Sequence, residues 1–273
     1  MIVGTWNLNW FPSGNKTKKA ADKEEQHINL VGKYIQKSIG SFSTTDNVIL
    51  CFQEIRDAKT MELLAKSIGL DTLEVSTVTS FKDVAGYPTW QQLSIVSTLP
   101  IKEAGQRQLN SGDGVSLQRG IAYAVYDWGS NGTIACFTLH LKSNLTLGDE
   151  FIDNQTNIFK REITVTEILR MTRELQEKYG RDLKVIVAGD LNTNEDDARF
   201  VSESTLRSFY GAHFRNCFTG VPLEGRITCP AVGSYPDATF DYILYRGFSK
   251  MTGRYIFPGS PLSDHNFVII ELE

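Results

Sequence analysis

The chain has 273 residues, 41% of them hydrophobic and 22% charged, an ordinary composition for a globular protein long enough to bury a sizeable core. Its formal charge of −4 excludes indiscriminate electrostatic binding to polyanions as the main activity. No apolar run is long enough to span a membrane. Met1 leads straight into an apolar-alternating stretch, without the basic start and cleavage region of a signal peptide. The expected compartment is the cytoplasm, or a secreted or periplasmic one if a leader has been removed and a Met added.

Taken in order, the segments alternate between strand-like and helix-like patterns. Residues 2–8 read as a strand. Residues 22–38 read as a helix with apolar positions at Ile28, Val31 and Ile35. Residues 47–52 form a short buried strand, and 58–68 a helix ended by Gly69. Residues 93–97, 106–109, 120–126 and 133–139 read as strands, the last two joined by a hairpin turn at Asn131 and Gly132. Residues 157–179 form a long helix closed by Gly180, 184–188 a buried strand and 196–206 a short helix. Residues 240–245, 254–257 and 267–272 finish the chain as strands.

No internal repeat or linker divides the chain, so residues 1–273 read as one domain. Mixed strands and hairpins with a few helices point to two sheets packed face to face, helices outside. The alternative is a doubly wound parallel sheet, against which the hairpin argues. Cys51 and Cys136 lie in apolar runs and read as buried. Cys217 and Cys229 flank a Gly- and Pro-rich loop, where either a disulfide or two free thiols fits the spacing.

One pattern recurs. Several apolar strands end abruptly in residues that bind metals or phosphates. The first ends in Asn7, the second in Glu54. The 133–139 strand runs into His140, Lys142, Ser143 and Asn144. The 184–188 strand runs into Asp190 and Asn192, and the last strand is preceded by Ser263, Asp264 and His265. A single carboxylate after a strand is commonly a turn residue or helix cap. Five such ends in one chain would make one pocket if they converge.

The residue types suit metal-assisted chemistry. Glu54 is a hard oxygen ligand fit for Mg²⁺, with Asn7 as a neutral co-ligand or an orienter of that carboxylate. Asp190 would take a proton from an attacking water, with Asn192 holding the water or a phosphate oxygen. His140 and His265 would stabilise charge developing on the phosphoryl oxygens. No Cys/His cluster has zinc spacing. Adjacent Ser263, Asp264 and His265 cannot form a triad, because neighbours on an extended segment point opposite ways.

These residues resemble the endonuclease/exonuclease/phosphatase superfamily, in its DNase I-like branch. The matching segments are Thr-Trp-Asn-Leu at 5–8, Phe-Gln-Glu-Ile at 52–55 and Thr-Leu-His-Leu-Lys-Ser at 138–143. Gly-Asp-Leu-Asn-Thr at 189–193, Phe-Asp-Tyr-Ile-Leu at 240–244 and Ser-Asp-His at 263–265 follow in family order. The resemblance implies a four-layered α/β sandwich, two mostly antiparallel sheets with helices outside, and a site at one rim. It implies Mg²⁺ or Mn²⁺ held by Glu54 with Asn7 and Asp264. Asp241 would hydrogen-bond His265 and favour its charged form, and His140 would contact the phosphate. Arg119 resembles a family arginine on the scissile phosphate, with Lys142 a further phosphate contact or a surface charge. Gln91 would hold His140 where some relatives use Glu. Asn266 stands where many relatives continue Ser-Asp-His with Pro.

Fold does not choose the phosphoester. The Trp and Pro-Ala-Trp signatures of inositol 5-phosphatases are absent, and no exposed apolar hairpin of the kind a sphingomyelinase inserts into membranes is evident; Trp10 and Phe11 lie in an early loop. The His-Leu-Lys-Ser stretch favours a nuclease acting on DNA or RNA; a monomer is the expected oligomeric state. Lys16, Lys18 and Lys19 would line a backbone groove or form a solvated cluster, and Tyr87 and Trp90 would stack on bases or serve as core and turn residues. The alternatives are a phosphatase or sphingomyelin phosphodiesterase of the same fold, or an inactive binding protein.

Overall fold

A computed structural model describes residues 1–13, 21–42, 47–83, 86–109, 119–144, 150–195 and 197–273. Strand β1 (Ile2–Phe11) leads through helix α1 (Ala21–Ile39) to β2 (Val48–Ile55), helix α2 (Ala58–Ile68), β3 (Glu74–Val78) and β4 (Gln92–Ser97). Then come β5 (Ile101–Arg107), β6 (Ile121–Asp127), β7 (Thr133–His140), helix α3 (Glu150–Tyr179) and β8 (Lys184–Asp190). Helix α4 (Thr205–Gly211), β9 (Arg215–Asn216), β10 (Asp241–Arg246), β11 (Met251–Phe257) and β12 (Phe267–Leu272) follow.

The strands sort into two six-stranded sheets, ordered β11-β12-β1-β2-β4-β3 and β5-β6-β7-β8-β10-β9. Each has one parallel pair at its centre, β1 with β2 and β7 with β8; all other neighbours run antiparallel. Both parallel pairs are joined by a helix, because parallel strands need a crossover. The four central strands therefore deliver their carboxyl ends in pairs to one edge of each sheet, where α/β ligand sites form.

Period-two alternation sorts the faces. Val3, Ile49 and Cys51 pack between the sheets with Ile134, Cys136 and Ile186, and the Cys51 and Cys136 sulfurs are 3.5 Å apart. Ile2, Trp6, Leu50 and Phe52 face the other way, onto Ile28, Val31 and Ile35 of α1 and Leu64 and Ile68 of α2. On the second sheet, Val165, Ile168 and Met171 of α3 and Phe209 of α4 join the core. The result is the four-layered, DNase I-like sandwich with helices outside.

Several boundaries differ from the sequence reading. The strand read at 106–109 lies at Ile101–Arg107, and β3 was not read at all. Both are edge strands with largely exposed or half-exposed residues, so neither carries the apolar run of a buried strand. The helix read at 196–206 is a 3₁₀ turn, Ala198–Phe200, followed by α4. Asp197 caps the Arg199 amide, and Glu203 is drawn into an ion pair with Arg161 of α3, which breaks the helix between them. Helix α3 begins at Glu150, ahead of the expected 157. The β6–β7 turn spans Trp128 to Gly132 through a 3₁₀ turn, with Trp128 N donating to Gly132 O, and is not a two-residue turn. Cys217 and Cys229 are both free thiols, Cys217 sealed in the core and Cys229 half-buried at a loop base, which removes the disulfide option. No helix among the described residues is long and apolar enough to cross a membrane.

Candidate active site

The sheets bring the ends of β1, β2, β7 and β8 to one rim. Asn7 Nδ2 lies 3.1 Å from Asp190 Oδ2 and 3.4 Å from Glu54 Oε1. His140 Nε2 lies 3.3 Å from the same Asp190 oxygen and 3.8 Å from Glu54 Oε1. His265 Nε2 lies 3.9 Å from Asp190 Oδ2, while its Nδ1 is 2.7 Å from Asp241 Oδ2. Asn7, His140 and His265 thus converge on one buried carboxylate, with Glu54 beside the first two and Asp241 behind the third.

Local backbone features aim these groups. In β2, Gln53 points between the sheets, where its Nε2 donates to Thr138 Oγ1 at 2.9 Å. Strict alternation would turn Glu54 toward the helices. Glu54 instead adopts φ 62°, and the β2–β4 register shifts between Phe52 and Ile55. This bulge returns the carboxylate to the rim, where Oε2 accepts the Trp10 amide at 3.0 Å. Asn192 is also left-handed at φ 49°; its amide donates to Asp190 Oδ1 at 2.9 Å and its Nδ2 to Leu141 O at 3.1 Å. Gly189 has a steric reason, since a Cβ there would stand 2.1 Å from Leu139 O. Asp190 and Asp241 are register partners in the antiparallel β8–β10 pair, so their side chains share a face. Ser263 Oγ donates to Asn7 O and Trp6 Nε1 to His265 O, which fastens the segment before β12 onto the end of β1.

Charge is out of balance in this rim. Burial pushes the Asp190 carboxyl up to about 7; the His265 charge opposes the rise and Asp241 adds to it. Burial also works against the His265 imidazolium, but Asp241, then Asp190, outweigh it and hold its pKa well above the ordinary value. His140 moves the other way, its pKa driven well down by burial and by the Arg119, His265 and Lys142 charges. Its Nε2 faces two carboxylates while Nδ1 is buried without a partner, so the neutral ring donates from Nε2.

The remaining sequence candidates fall as follows. Arg119 is half-buried, with Nη1 on Leu141 O and Nη2 on Gln91 Oε1, both at 2.9 Å. Gln91 therefore steadies Arg119, not His140, because its amide oxygen meets the guanidinium first. Burial lowers the Arg119 pKa, against the pull of Glu54 and Asp190. Lys142 sits two residues past His140 and its Nζ lies 3.3 Å from Ser143 Oγ. Asn144 Nδ2 donates to Asn192 O at 3.1 Å. Asp264 is exposed, 3.5 Å from Ser263 Oγ, outside the buried cluster. Phe11 is fully buried, Tyr87 exposed and Trp90 half-buried. Lys16, Lys18 and Lys19 lie outside the described residues.

A divalent cation suits this donor set. Glu54 and Asp190 both face Asn7 and a neutral imidazole, and burial raises the Asp190 pKa despite the His265 charge, so added positive charge at this rim would be stabilising. Asp190, Asp241 and His265 also offer ligand-type atoms within 4.8 Å of one another. Asp241 gives Oδ2 to the His265 ring and keeps a buried Oδ1 without a partner, while Glu54 and Asp190 are the carboxylates turned to Asn7 and His140. Asn7 Oδ1 accepts the Asn9 amide at 3.1 Å, so Asn7 orients the two carboxylates through Nδ2.

Two supporting residues escaped the sequence reading. Arg161 is fully buried in α3, with Nε and Nη2 on Glu203 and Nη1 donating to Lys142 O at 2.8 Å. A signal existed: Arg161 falls on the row Ile158, Val165, Ile168, all buried, at three- and four-residue spacing. Thr228 Oγ1 accepts the amides of Phe240 and Asp241 at 2.9 and 3.0 Å; a threonine in a loop gives no such signal.

Comparison with known proteins agrees with this geometry. Residues 4–265 match the Endonuclease/Exonuclease/phosphatase family. No curated protein matches the chain by sequence. Among solved structures, C. elegans TDP2 superposes at TM-score 0.65 and 15% identity over 99% of this chain and 74% of its own. The human nocturnin catalytic domain with bound sulfate gives 0.66 and 14% over 100% and 93%. D. rerio TDP2 complexed with single-strand DNA product gives 0.62 and 16% over 100% and 98%. At such identities these neighbours speak to the fold. The match that spans β1 to the His265 rim identifies the chain as a member of the Endonuclease/Exonuclease/phosphatase family, whose members hydrolyse phosphoric esters.

Proposed function

We propose that the protein is a nuclease that hydrolyses DNA or RNA phosphodiester bonds by in-line attack of water, with Mg²⁺ or Mn²⁺ held at Glu54. The observation that carries this reading is the convergence of Asn7, Glu54, His140, Asp190 and the His265–Asp241 pair on one rim. A divalent cation would supply Lewis-acid charge on the phosphoryl oxygens.

Asp190, aimed at the rim by its bonds to Asn7 Nδ2 and the Asn192 amide, takes a proton from the attacking water. Asn192, fixed by its own backbone bond to Asp190, holds that water or a phosphate oxygen. The His265 ring is kept protonated by Asp241 and directs Nε2 at charge developing on the phosphoryl group. Neutral His140 turns Nε2–H to Asp190 at 3.3 Å and stands 3.8 Å from Glu54 Oε1. Arg119, held on Leu141 O just past β7, and Lys142, next in the chain, neutralise phosphate charge. A nucleic acid substrate draws support from the His-Leu-Lys-Ser stretch and from the DNA product seen on the D. rerio TDP2 neighbour.

The test is hydrolysis of plasmid DNA, RNA, inositol phosphates, sphingomyelin and bis-p-nitrophenyl phosphate with Mg²⁺, Mn²⁺ or EDTA. Metal-dependent cleavage of a nucleic acid is expected, with Glu54→Ala and His265→Ala folded but nearly inactive. Turnover of sphingomyelin or inositol phosphates alone would overturn the substrate assignment.

A further inference from the structure

Between Thr228 and Asp241 the chain forms a short hairpin beside the His265–Asp241 pair. Its base is ruled by reciprocal backbone bonds between Cys229 and Ala238, both 2.9 Å. Its tip is a two-residue turn, Gly233 and Ser234, closed by reciprocal 3.1 Å bonds between Val232 and Tyr235. Gly233 takes φ 62°, which such a turn requires. Thr228 fastens the base to both halves of the pair, since its Oγ1 accepts the Asp241 amide and its carbonyl the amide of Asn266, next to His265. The half-buried Cys229 thiol feels the charges of His265, Asp241, Asp190 and Asp264, so the hairpin leaves the sheet at the reacting rim.

Its tip is apolar and open. Val232 and Tyr235 are 62% and 61% exposed, three residues or about 10 Å of strand beyond the base. Asp237 is turned onto the Ala231 amide at 2.8 Å and stiffens the loop. Both side chains face solvent on a hydrogen-bonded hairpin next to a phosphoester-cleaving centre and add nothing to the core.

We propose that Tyr235, backed by Val232, is a specificity-determining stacking platform for one unpaired nucleobase flanking the scissile phosphodiester. The inference rests on the nuclease reading of the same rim. The chemistry favours a base over a lipid surface. One ring and one small aliphatic group on a tip without Lys or Arg give too little apolar area and no attraction to anionic headgroups. A single exposed aromatic ring is what an unstacked base requires.

The test uses the full chain, wild type and Tyr235→Ala, in metal-free buffer. A fluorescent single-stranded oligonucleotide is compared with a set in which one nucleotide at a time is abasic, binding being read by anisotropy. Wild type is expected to lose about tenfold in affinity at one position when its base is removed. Tyr235→Ala is expected to bind the intact strand about tenfold more weakly and to be insensitive at that position, while Tyr235→Phe behaves as wild type. The same abasic profile in Tyr235→Ala as in wild type overturns the proposal. So does Tyr-dependent flotation with sphingomyelin vesicles in the absence of an oligonucleotide effect. Cleavage of plasmid DNA and RNA by wild type with Mg²⁺ reports separately on the nuclease reading, so its loss and loss of the platform are told apart.

Discussion

Asp190 and Asp241 face each other across the β8–β10 ladder, yet they experience opposite company. Asp241 is fully buried and gives Oδ2 to the His265 ring at 2.7 Å. Asp190 turns to Asn7, His140 and the rim. Two carboxylates in one register pair are thereby divided into a carboxyl with an elevated pKa and a partner that keeps an imidazole charged.

Asp241→Asn keeps the shape of that partner and removes its charge. The His265 pKa, held well above ordinary by Asp241 against burial, should fall. Turnover at neutral pH is expected to drop by about 10²–10³-fold, and the alkaline loss of activity should move to lower pH. Proton NMR of the His265 ring beside a pH profile of kcat/KM checks both; an unmoved ring titration would remove Asp241 from its role.

The metal-free protein should lose stability as pH rises through about 7. Asp190 titrates near 7 in the fold, above the ordinary carboxylate, so folding favours its protonated form. That contribution is complete below the unfolded pKa and fades as pH climbs through the folded one. The raised pKa of His265 has the same sign at higher pH. A cation held at this rim would favour the ionised form of Asp190, so the Mg²⁺-induced rise in Tm should be larger at pH 8 than at pH 6. Glu54→Gln should diminish that rise at both. Equal metal shifts across this range would contradict the assignment.

Arg161→Ala should destabilise the fold by about 3–5 kcal/mol, because it leaves the buried Glu203 carboxylate without its cation. The double variant Arg161→Met with Glu203→Leu should recover most of that loss in urea unfolding, although not the hold on Lys142 O. A single variant with the wild-type midpoint would show that the pair contributes nothing.

Gly189→Ala would place a Cβ 2.1 Å from Leu139 O, between the strands that carry His140 and Asp190. Backbone atoms must separate, at a cost above about 1 kcal/mol, with loss of turnover out of proportion to the change in Tm. Wild-type activity in Gly189→Ala would mean that β7 and β8 tolerate a spread the geometry forbids.

The residue order alone pointed to two packed sheets with helices outside and to a set of candidate metal and phosphate ligands at strand ends. Ala58–Ile68 and Phe267–Leu272 were legible to the residue, because strong apolar periodicity and a Gly69 cap leave one solution. Asn7, Glu54, His140 and Asp190 were legible because a polar residue ends an apolar strand. Edge strands such as Glu74–Val78 were not, since half-exposed strands need no apolar run. Only the tertiary structure decided that Glu54 turns inward through a left-handed bulge, that Gln91 serves Arg119, and that Cys217 and Cys229 stay apart. It alone revealed the Thr228 anchor and the Tyr235 tip. Periodicity records which side of an element meets the core; which distant residue waits there is set by how the two sheets are packed, and no local pattern encodes it.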